Sequence, residues 1–296
     1  MIADAHCHFF SPGFFTTLNR ELPEPSAEPA DELPTRLGWE PPGSAETLAD
    51  RWAQELDHHG VHRAAVIASV HGDEDAVAVA VSRHPARFVG FFMLNPAAPD
   101  AGQRAIHGLA GGLKCVSLFP ALHRYALDDP RVGAVVRLAA DHGAAVFVHC
   151  GLLSVGARKR LGLANRFDVR FGDPLGVAAL ASQWTSVPFI IPHFGAGMLR
   201  EALMALDLAP NVYLDTSSSN SWVKYLPGLT LEQVFRQALA VGGASRLLFG
   251  TDSSFFPRGW HRAIFDEQTR ILGELGLSDA DRAMILSGNF GRVFGD

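Results

Sequence analysis

Short strand-like segments alternate with helical segments along almost the whole chain, and this alternation constrains the fold more than any other feature. Apolar runs such as RAAVIAS, RFVGFFML and AAVFVHC are typical of strands, and each is followed by a helical pattern. The first strand is IADAH, close to the N-terminus, and seven more follow it. Repeated β–α units form parallel sheets, and eight of them close into a barrel. The sequence therefore predicts an α/β protein, a (β/α)8 TIM barrel.

An open, doubly wound sheet is the alternative arrangement for alternating strands and helices. Such a sheet carries a glycine-rich phosphate-binding turn after an early strand, and the segment DAHCHFFSPG lacks one. A length of 296 residues would suit two average domains, but barrels of about 250 residues form one domain. Because the sequence shows no interdomain linker and no internal repeat, we predict a single domain over residues 1–296.

Two long connections interrupt the alternation. Residues 11–44 are rich in proline and too long for an ordinary connection between a strand and a helix. We expect this insertion between the first strand and the first barrel helix to form an irregular flap over the barrel mouth. Residues 151–172, which include ARKRLGLANRFDVRFG, form the second insertion.

Composition narrows the classes of function. The chain has 25 basic and 31 acidic residues, a net charge of −6, which argues against a nucleic-acid or acidic-membrane partner. No apolar run reaches the roughly 18 residues needed to cross a bilayer, and polar residues interrupt the N-terminus where a signal peptide would be apolar. Three cysteines without CxxC spacing predict no disulfide framework. We therefore expect a cytoplasmic protein with a small-molecule substrate.

Histidine and aspartate residues occupy the ends of several predicted strands, which in a TIM barrel is where the active site forms. These residues are His6 and His8 (strand one), His149 (strand five), His193 (strand six), Asp215 (strand seven) and Asp252 (strand eight). His6 and His8 point to the same face because side chains alternate along a strand. A set of three imidazoles and one carboxylate with open positions suits Zn²⁺, and also Mn²⁺ or Fe²⁺. Asp215 is left as either a cap or a hydrogen-bonding partner of the neighbouring loop.

Aromatic and basic residues near the strand ends are candidates for substrate binding. Phe9 follows His8 directly, and Trp222 falls in the loop after the seventh strand. Aromatic walls suit a flat, conjugated substrate. Arg258, in FFPRGW, closely follows Asp252 and is the best candidate to bind a substrate carboxylate through two parallel hydrogen bonds.

Taken together, these motifs resemble the amidohydrolase superfamily. More narrowly, they resemble its amidohydrolase-related branch (amidohydrolase 2), which includes aminocarboxymuconate-semialdehyde decarboxylase, resorcylate-type decarboxylases and pyrone dicarboxylate lactonase. The resemblance covers the whole chain, through DAHCH, GLKCVSLFP, VFVHCG, IIPHFG, LLFGTDSSFFP and ILSGNFGRVFG. It implies that one divalent metal, in the first instance zinc, is held by His6, His8, His149 and Asp252. It also implies that His193 activates water or carries a proton, and it is compatible with a homodimer.

Lys114 raises a separate question within this resemblance. Other branches of the superfamily carry a carboxylated lysine on the fourth strand that bridges two metals. Lys114 lies on the predicted fourth strand but near its start. We therefore expect a structural role for it, or one behind the metal ligands.

Three functional hypotheses follow. The first is a metal-dependent hydrolase that acts on a small cyclic or aromatic carboxylated compound through metal-activated water, with His193 and Asp252 as catalytic residues. The second is a metal-dependent, non-oxidative decarboxylase of an aromatic or dienoic acid. The third, a catalytically silent barrel that only binds a ligand, is disfavoured by the complete set of histidines and Asp252.

Overall fold

The computed structural model of the protein describes residues 1–217 and 221–295, and its centre is one sheet of eight parallel strands paired in chain order. The strands are β1 (Ala3–Phe9), β2 (Arg63–Ala68), β3 (Phe88–Leu94), β4 (Cys115–Leu118), β5 (Ala145–Val148), β6 (Phe189–Ile191), β7 (Val212–Asp215) and β8 (Leu247–Leu248). The ring closes where β1 meets the segment after β8, through hydrogen bonds from Ala5 N–H to Phe249 O and from Asp252 N–H to His6 O. The predicted TIM barrel is confirmed.

At least one helix follows each strand. The helices are α1 (Pro12–Asn19), α2 (Pro29–Leu37), α3 (Ala45–His58), α4 (Glu74–Arg83), α5 (Ala101–Ala110), α6 (Pro120–His123), α7 (Pro130–Asp141), α8 (Gly156–Arg160), α9 (Pro174–Gln183), α10 (Leu199–Leu208), α11 (Leu231–Gly242), α12 (Arg262–Glu274), α13 (Asp279–Ala283) and α14 (Asn289–Phe294). Within the described ranges, no helix has the length and apolar character required to cross a membrane.

A β-bulge in β1 determines which of its side chains face the barrel interior. Asp4 pairs with Ala64 and Cys7 pairs with Val66, so β1 has one residue more than β2 between these two pairs. Before the bulge, Ala3 packs inside the barrel, and Ala5 within the bulge does the same. After it, Cys7 packs in the core between the sheet and the helices. The alternation is thereby reset, and His6 and His8 are left on the face that points into the barrel.

The first insertion is partly helical, so the prediction that it has irregular structure was wrong. It contains α1 and α2, and the prolines that open these helices stand in the first turn, where a missing N–H costs nothing. Ser11 caps α1 by accepting a hydrogen bond from Phe14 N–H. Apolar side chains of this insertion pack against Ala157 and Leu161 of the second insertion. We call this cluster the roof; its other members are Phe14, Phe15, Leu18, Leu22, Leu33 and Leu37.

Candidate metal centre

Three of the predicted ligands meet at the carboxyl ends of β1 and β8. In the described part of the chain, one possible ligand atom from each of His6, His8 and Asp252 lies within 4.8 Å of the other two. Asp252 Oδ1 is 3.1 Å from His8 Nε2 and 3.7 Å from His6 Nε2. Two imidazole nitrogens and a carboxylate oxygen at this spacing form a donor set suited to a divalent transition metal.

Hydrogen bonds to the second nitrogen of each imidazole fix the orientation of both rings. Asp215 Oδ2 lies 2.6 Å from His6 Nδ1, and Ser69 Oγ lies 2.7 Å from His8 Nδ1. Both Nδ1 atoms are thereby occupied, and both Nε2 atoms face Asp252. Metal-binding histidines in proteins are normally held by such a partner on the other ring nitrogen. The residues present therefore fit a metal ion.

His149 and His193 lie beside this group and line the same cavity. The His193 ring centroid is 4.9 Å from that of His6 and 5.2 Å from that of His149. His193 Nδ1–H donates to the Ser217 carbonyl at 2.8 Å, which leaves Nε2 with its lone pair. His149 is outside the group of three, but its buried Nδ1 has no hydrogen-bond partner. Coordination of a metal would satisfy that nitrogen.

The pKa values of the site residues, except that of His6, favour the protonation states that metal binding requires. Burial lowers the pKa of His8, His149 and His193, so these imidazoles are neutral near pH 7. Burial also disfavours a charge on His6, but the Asp215 carboxylate outweighs this effect and raises the pKa of His6. Burial alone would raise the pKa of Asp252, yet the hydrogen bond from His8 and the nearby imidazoles lower it well below the usual range.

Asp4 ties β1 to the loop that carries Asp252. Its carboxylate accepts hydrogen bonds from His6 N–H at 2.9 Å, Thr251 Oγ1–H at 2.5 Å and Trp260 Nε1–H at 2.7 Å. Burial raises the pKa of Asp4 to about 6. Asp4 therefore holds β1 and the loop of Asp252 together beneath the metal centre, and its side chain does not line the cavity.

Two ionisable residues of the site adopt the left-handed backbone conformation, which is unusual for residues other than glycine. The φ angle is +57° at His193 and +60° at Asp252. Such a conformation costs free energy and persists where surrounding contacts enforce it, typically at functional sites. The backbone thus holds the predicted proton carrier and the predicted carboxylate ligand in positions that ordinary strand ends would not give.

Two of the three predicted substrate-binding residues line the cavity, and the third does not. Arg258 and Trp222 line the cavity above the metal centre, which has a volume of about 710 Å³. Phe9 does not line it, because this side chain is fully buried in the core between the sheet and the helices. The prediction for Phe9 was wrong, since alternation places it on the face opposite His8. Its neighbour Phe10 stacks on His8 instead, at 5.4 Å between ring centroids.

Lys114 lies at the opposite end of the barrel from the metal centre. It precedes β4 (Cys115–Leu118), at the amino end of the strand, and its side chain is exposed. The metal centre lies at the carboxyl ends of the strands. Lys114 therefore neither bridges metals nor supports the ligands, and the expectation of a role behind the ligands was wrong.

Sequence reasoning missed several residues that shape the site. Ser69 follows β2, and Ser217 follows Asp215, but a serine at a strand end carries little signal by itself. Asp215 did carry a signal, because it ends β7 as the other acidic and basic residues end their strands. Trp39 lines the cavity from the first insertion, and no local pattern places it there.

The fold and the site together define a metal-binding enzyme of the TIM-barrel class. The family model described as amidohydrolase matches residues 3–295, so the chain belongs to the amidohydrolase family. Protein fluG of Emericella nidulans is 30% identical over 93 residues, which cover 31% of this chain and 10% of that protein. This chain thus corresponds to only a small part of that relative.

Solved structures share the fold at low sequence identity. A probable 2-pyrone-4,6-dicarboxylic acid hydrolase from Acinetobacter baumannii has a TM-score of 0.64 at 15% identity, with 100% of this chain and 99% of that one covered. The 5-carboxyvanillate decarboxylase from Novosphingobium aromaticivorans, in complex with manganese, has a TM-score of 0.68 at 14% identity, with 99% and 96% covered. An amidohydrolase from Burkholderia multivorans with bound zinc has a TM-score of 0.62 at 16% identity, with 99% of each chain covered.

Proposed function

We propose that the protein is a metal-dependent hydrolase of a small cyclic or aromatic carboxylated compound. The observation that carries this proposal is the position of His193, whose unprotonated Nε2 belongs to a buried ring packed against His6. A divalent ion held by His6, His8 and Asp252, with His149 as the fourth ligand, would supply Lewis acidity at this point. Zinc is the first choice, and manganese is supported by the decarboxylase complex.

Residues of the chain carry out proton transfer, metal binding and substrate binding. His193 Nε2 accepts the proton of the attacking water and returns it to the leaving group, because its lowered pKa keeps the ring unprotonated near pH 7 and its lone pair available. Asp252 stays ionised, since its pKa lies well below the usual range, and it serves as ligand rather than as acid. The small-molecule substrate occupies the cavity lined by Trp222 and Arg258. Formation of a homodimer stays a prediction.

A panel of lactones, amides and hydroxybenzoates, assayed with metal-loaded protein, tests the proposal. Hydrolysis of a lactone or amide is expected, with one oxygen from labelled water in the product. His193→Asn is expected to keep its bound metal and lose at least about 100-fold in kcat. His107→Asn, on the exposed face of α5, is the matched control and should keep full activity. Full activity in His193→Asn would rule out its role as the base.

A second candidate function is non-oxidative decarboxylation. The observation that favours it is the apolar, aromatic lining of the cavity around the cation Arg258. A carboxylate moved from water into such surroundings loses hydration, and this loss favours its departure as CO₂. Release of labelled CO₂ from a hydroxybenzoate, in equal amount to the arene formed and without any hydrolytic product from the panel, would replace the hydrolase proposal by this one.

A further inference from the structure

We propose that the substrate has an extended aromatic or apolar body, larger than one ring, and a single negative group that binds Arg258 rather than the metal ion. The inference rests on the proposed function, because it names the substrate class of the same site. Three properties of the cavity carry it: its charge, its aromatic wall and its size.

The charge of the cavity lining is almost completely compensated. Among the described residues that line it, the basic side chains are two arginines and several histidines, with no lysine. Arg158 binds Glu21 through two parallel hydrogen bonds, of 2.5 and 2.8 Å, so this pair is neutral overall. Burial lowers the pKa of His123 to about 4, which leaves that ring uncharged at neutral pH. His71 is paired with Asp100.

Arg258 is different, because its hydrogen bonds go to uncharged acceptors. Its guanidinium donates to the Asp252 carbonyl at 3.1 Å and to Ser254 Oγ at 2.7 Å. The positive charge is thus available to an anion in the cavity. A second negative group away from the metal centre would have no such partner, and burying it unpaired would be costly.

A continuous aromatic wall connects the metal centre to Arg258. Its rings are Phe14, Phe10, Trp39 and Phe255, and we call it the aromatic stack. Phe10 lies 4.1 Å from Phe14 and 5.6 Å from Trp39, and Trp39 lies 4.4 Å from Phe255, with interplanar angles of 13°, 9° and 9°. Phe10 also stacks on the metal ligand His8, and Arg258 lies 4.5 Å from the centroid of Phe255.

The direction of the aromatic stack sets the shape of the ligand. His8 stacks on Phe10 within the row, and Arg258 lies over Phe255 at one end, so a flat substrate along the wall reaches from one to the other. The rings of the stack cover one another's faces, so a flat substrate beside them meets their edges, and edge-to-face contact is also favoured between aromatic rings. Because Arg258 also donates to the carbonyl of Asp252, it lies next to the metal centre, and the length of the substrate body is set by the cavity as a whole.

The rest of the lining and the size of the cavity agree with this shape. Aliphatic and aromatic side chains from the ends of β3 and β4 and from the second insertion complete the wall: Met93, Phe119, Leu122, Leu152, Leu153, Val155 and Phe167. The volume of about 710 Å³ is in the upper half of the roughly 300–1,000 Å³ typical of sites for drug-sized ligands. A one-ring acid would leave much of this apolar surface without a partner.

Binding of unreactive probes to the metal-loaded protein tests the inference by calorimetry. The probes are benzoate, biphenyl-4-carboxylate and the uncharged 4-(hydroxymethyl)biphenyl. We expect biphenyl-4-carboxylate to bind at least tenfold more tightly than either of the others. Arg258→Met should weaken its binding about 10- to 100-fold, to the level of the uncharged probe. Arg262→Met, which removes an exposed arginine paired with Asp266 on α12, is the matched control and should change nothing.

A second variant separates the shape of the ligand from its charge. Val155 packs against both the barrel interior and the roof, so Val155→Phe fills part of the cavity. This variant is expected to weaken binding of biphenyl-4-carboxylate and to leave benzoate unchanged. Equal affinity for the one-ring and two-ring acids, or unchanged binding in Arg258→Met, would overturn the inference. The proposed function is tested separately. It stands if the metal-loaded protein hydrolyses one-ring substrates while either of these results is obtained. It fails if the protein binds no metal and turns over no substrate.

Discussion

Asp215 is predicted to control metal affinity although it is not a ligand. Its two oxygens accept different N–H groups: Oδ2 lies 2.6 Å from His6 Nδ1, and Oδ1 lies 2.6 Å from Ser217 N. Both side chains of the pair are almost completely buried. In Asp215→Asn, one of these N–H groups must face an amide NH₂. If His6 avoids that clash by moving its proton to Nε2, the lone pair that faces Asp252 is lost.

The size of this effect follows from the geometry. A hydrogen bond to a charged group contributes about 1.5–3 kcal/mol, which corresponds to roughly 10- to 100-fold in affinity. Loss of an orienting partner behind a metal-binding histidine reduces affinity by a similar factor. We therefore expect Asp215→Asn to bind Zn²⁺ about 10- to 100-fold more weakly than the unmodified protein.

Competition with a chromophoric chelator measures this affinity directly. Asp266→Asn removes an exposed carboxylate on α12 and is the control, for which no change is expected. Thermal unfolding of the metal-free proteins checks that the variant folds. If folded Asp215→Asn binds Zn²⁺ within twofold of the unmodified protein, Asp215 does not orient His6, and the hydrogen bond behind this imidazole does not set the metal affinity.

Three further predictions concern the same site and its surroundings. Removal of divalent metal by a chelator should abolish turnover, and added Zn²⁺ or Mn²⁺ should restore it; turnover in protein shown by elemental analysis to be metal-free would contradict this. In Gly250→Ala the new Cβ would lie 2.6 Å from Asp215 Oδ1 and 3.0 Å from His6 Cβ, so we expect at least tenfold weaker Zn²⁺ binding in the chelator competition, whereas Gly273→Ala has room and should bind normally. Burial raises the pKa of Asp73 from 3.8 to about 6, so the folded protein holds this proton more tightly than the unfolded chain does. Asp73 should therefore lower the free energy of unfolding by up to about 3 kcal/mol as the pH rises from about 4 to 7. Urea titrations of Asp73→Asn should show a fall smaller by this amount, with the contribution of Asp4 remaining.

The barrel and the positions of its polar residues could be predicted from sequence because both depend on local patterns. Alternation of apolar runs with helical segments fixes the class of fold, and the carboxyl ends of parallel strands meet at one edge. The sequence therefore correctly located His6 near the end of β1, Asp215 at the end of β7 and Asp252 after β8. The error at Phe9 was avoidable, since the alternation that groups His6 with His8 excludes the residue after His8.

The remaining features depend on contacts between distant segments. Trp39 enters the aromatic stack only because the first insertion folds over the barrel and packs against the second insertion in the roof. The prolines of this segment suggested irregular structure, but their effect depends on position, and at the start of a helix they are tolerated. The pairing of Glu21 with Arg158 likewise joins the two insertions, and no pattern within either one indicates it.

The location of the metal centre links metal binding to closure of the barrel. His6 and His8 lie on the first strand, and Asp252 follows the last, so these ligands come together only where the ring closes. The same seam is held by the parallel bridge between Cys7 and Ser253 and by the hydrogen bonds of Asp4. An open barrel would separate the ligands and could not bind the ion in the same way. Bound metal must therefore stabilise the closed form, by about 2.7 kcal/mol when the free ion is at 100 times its Kd.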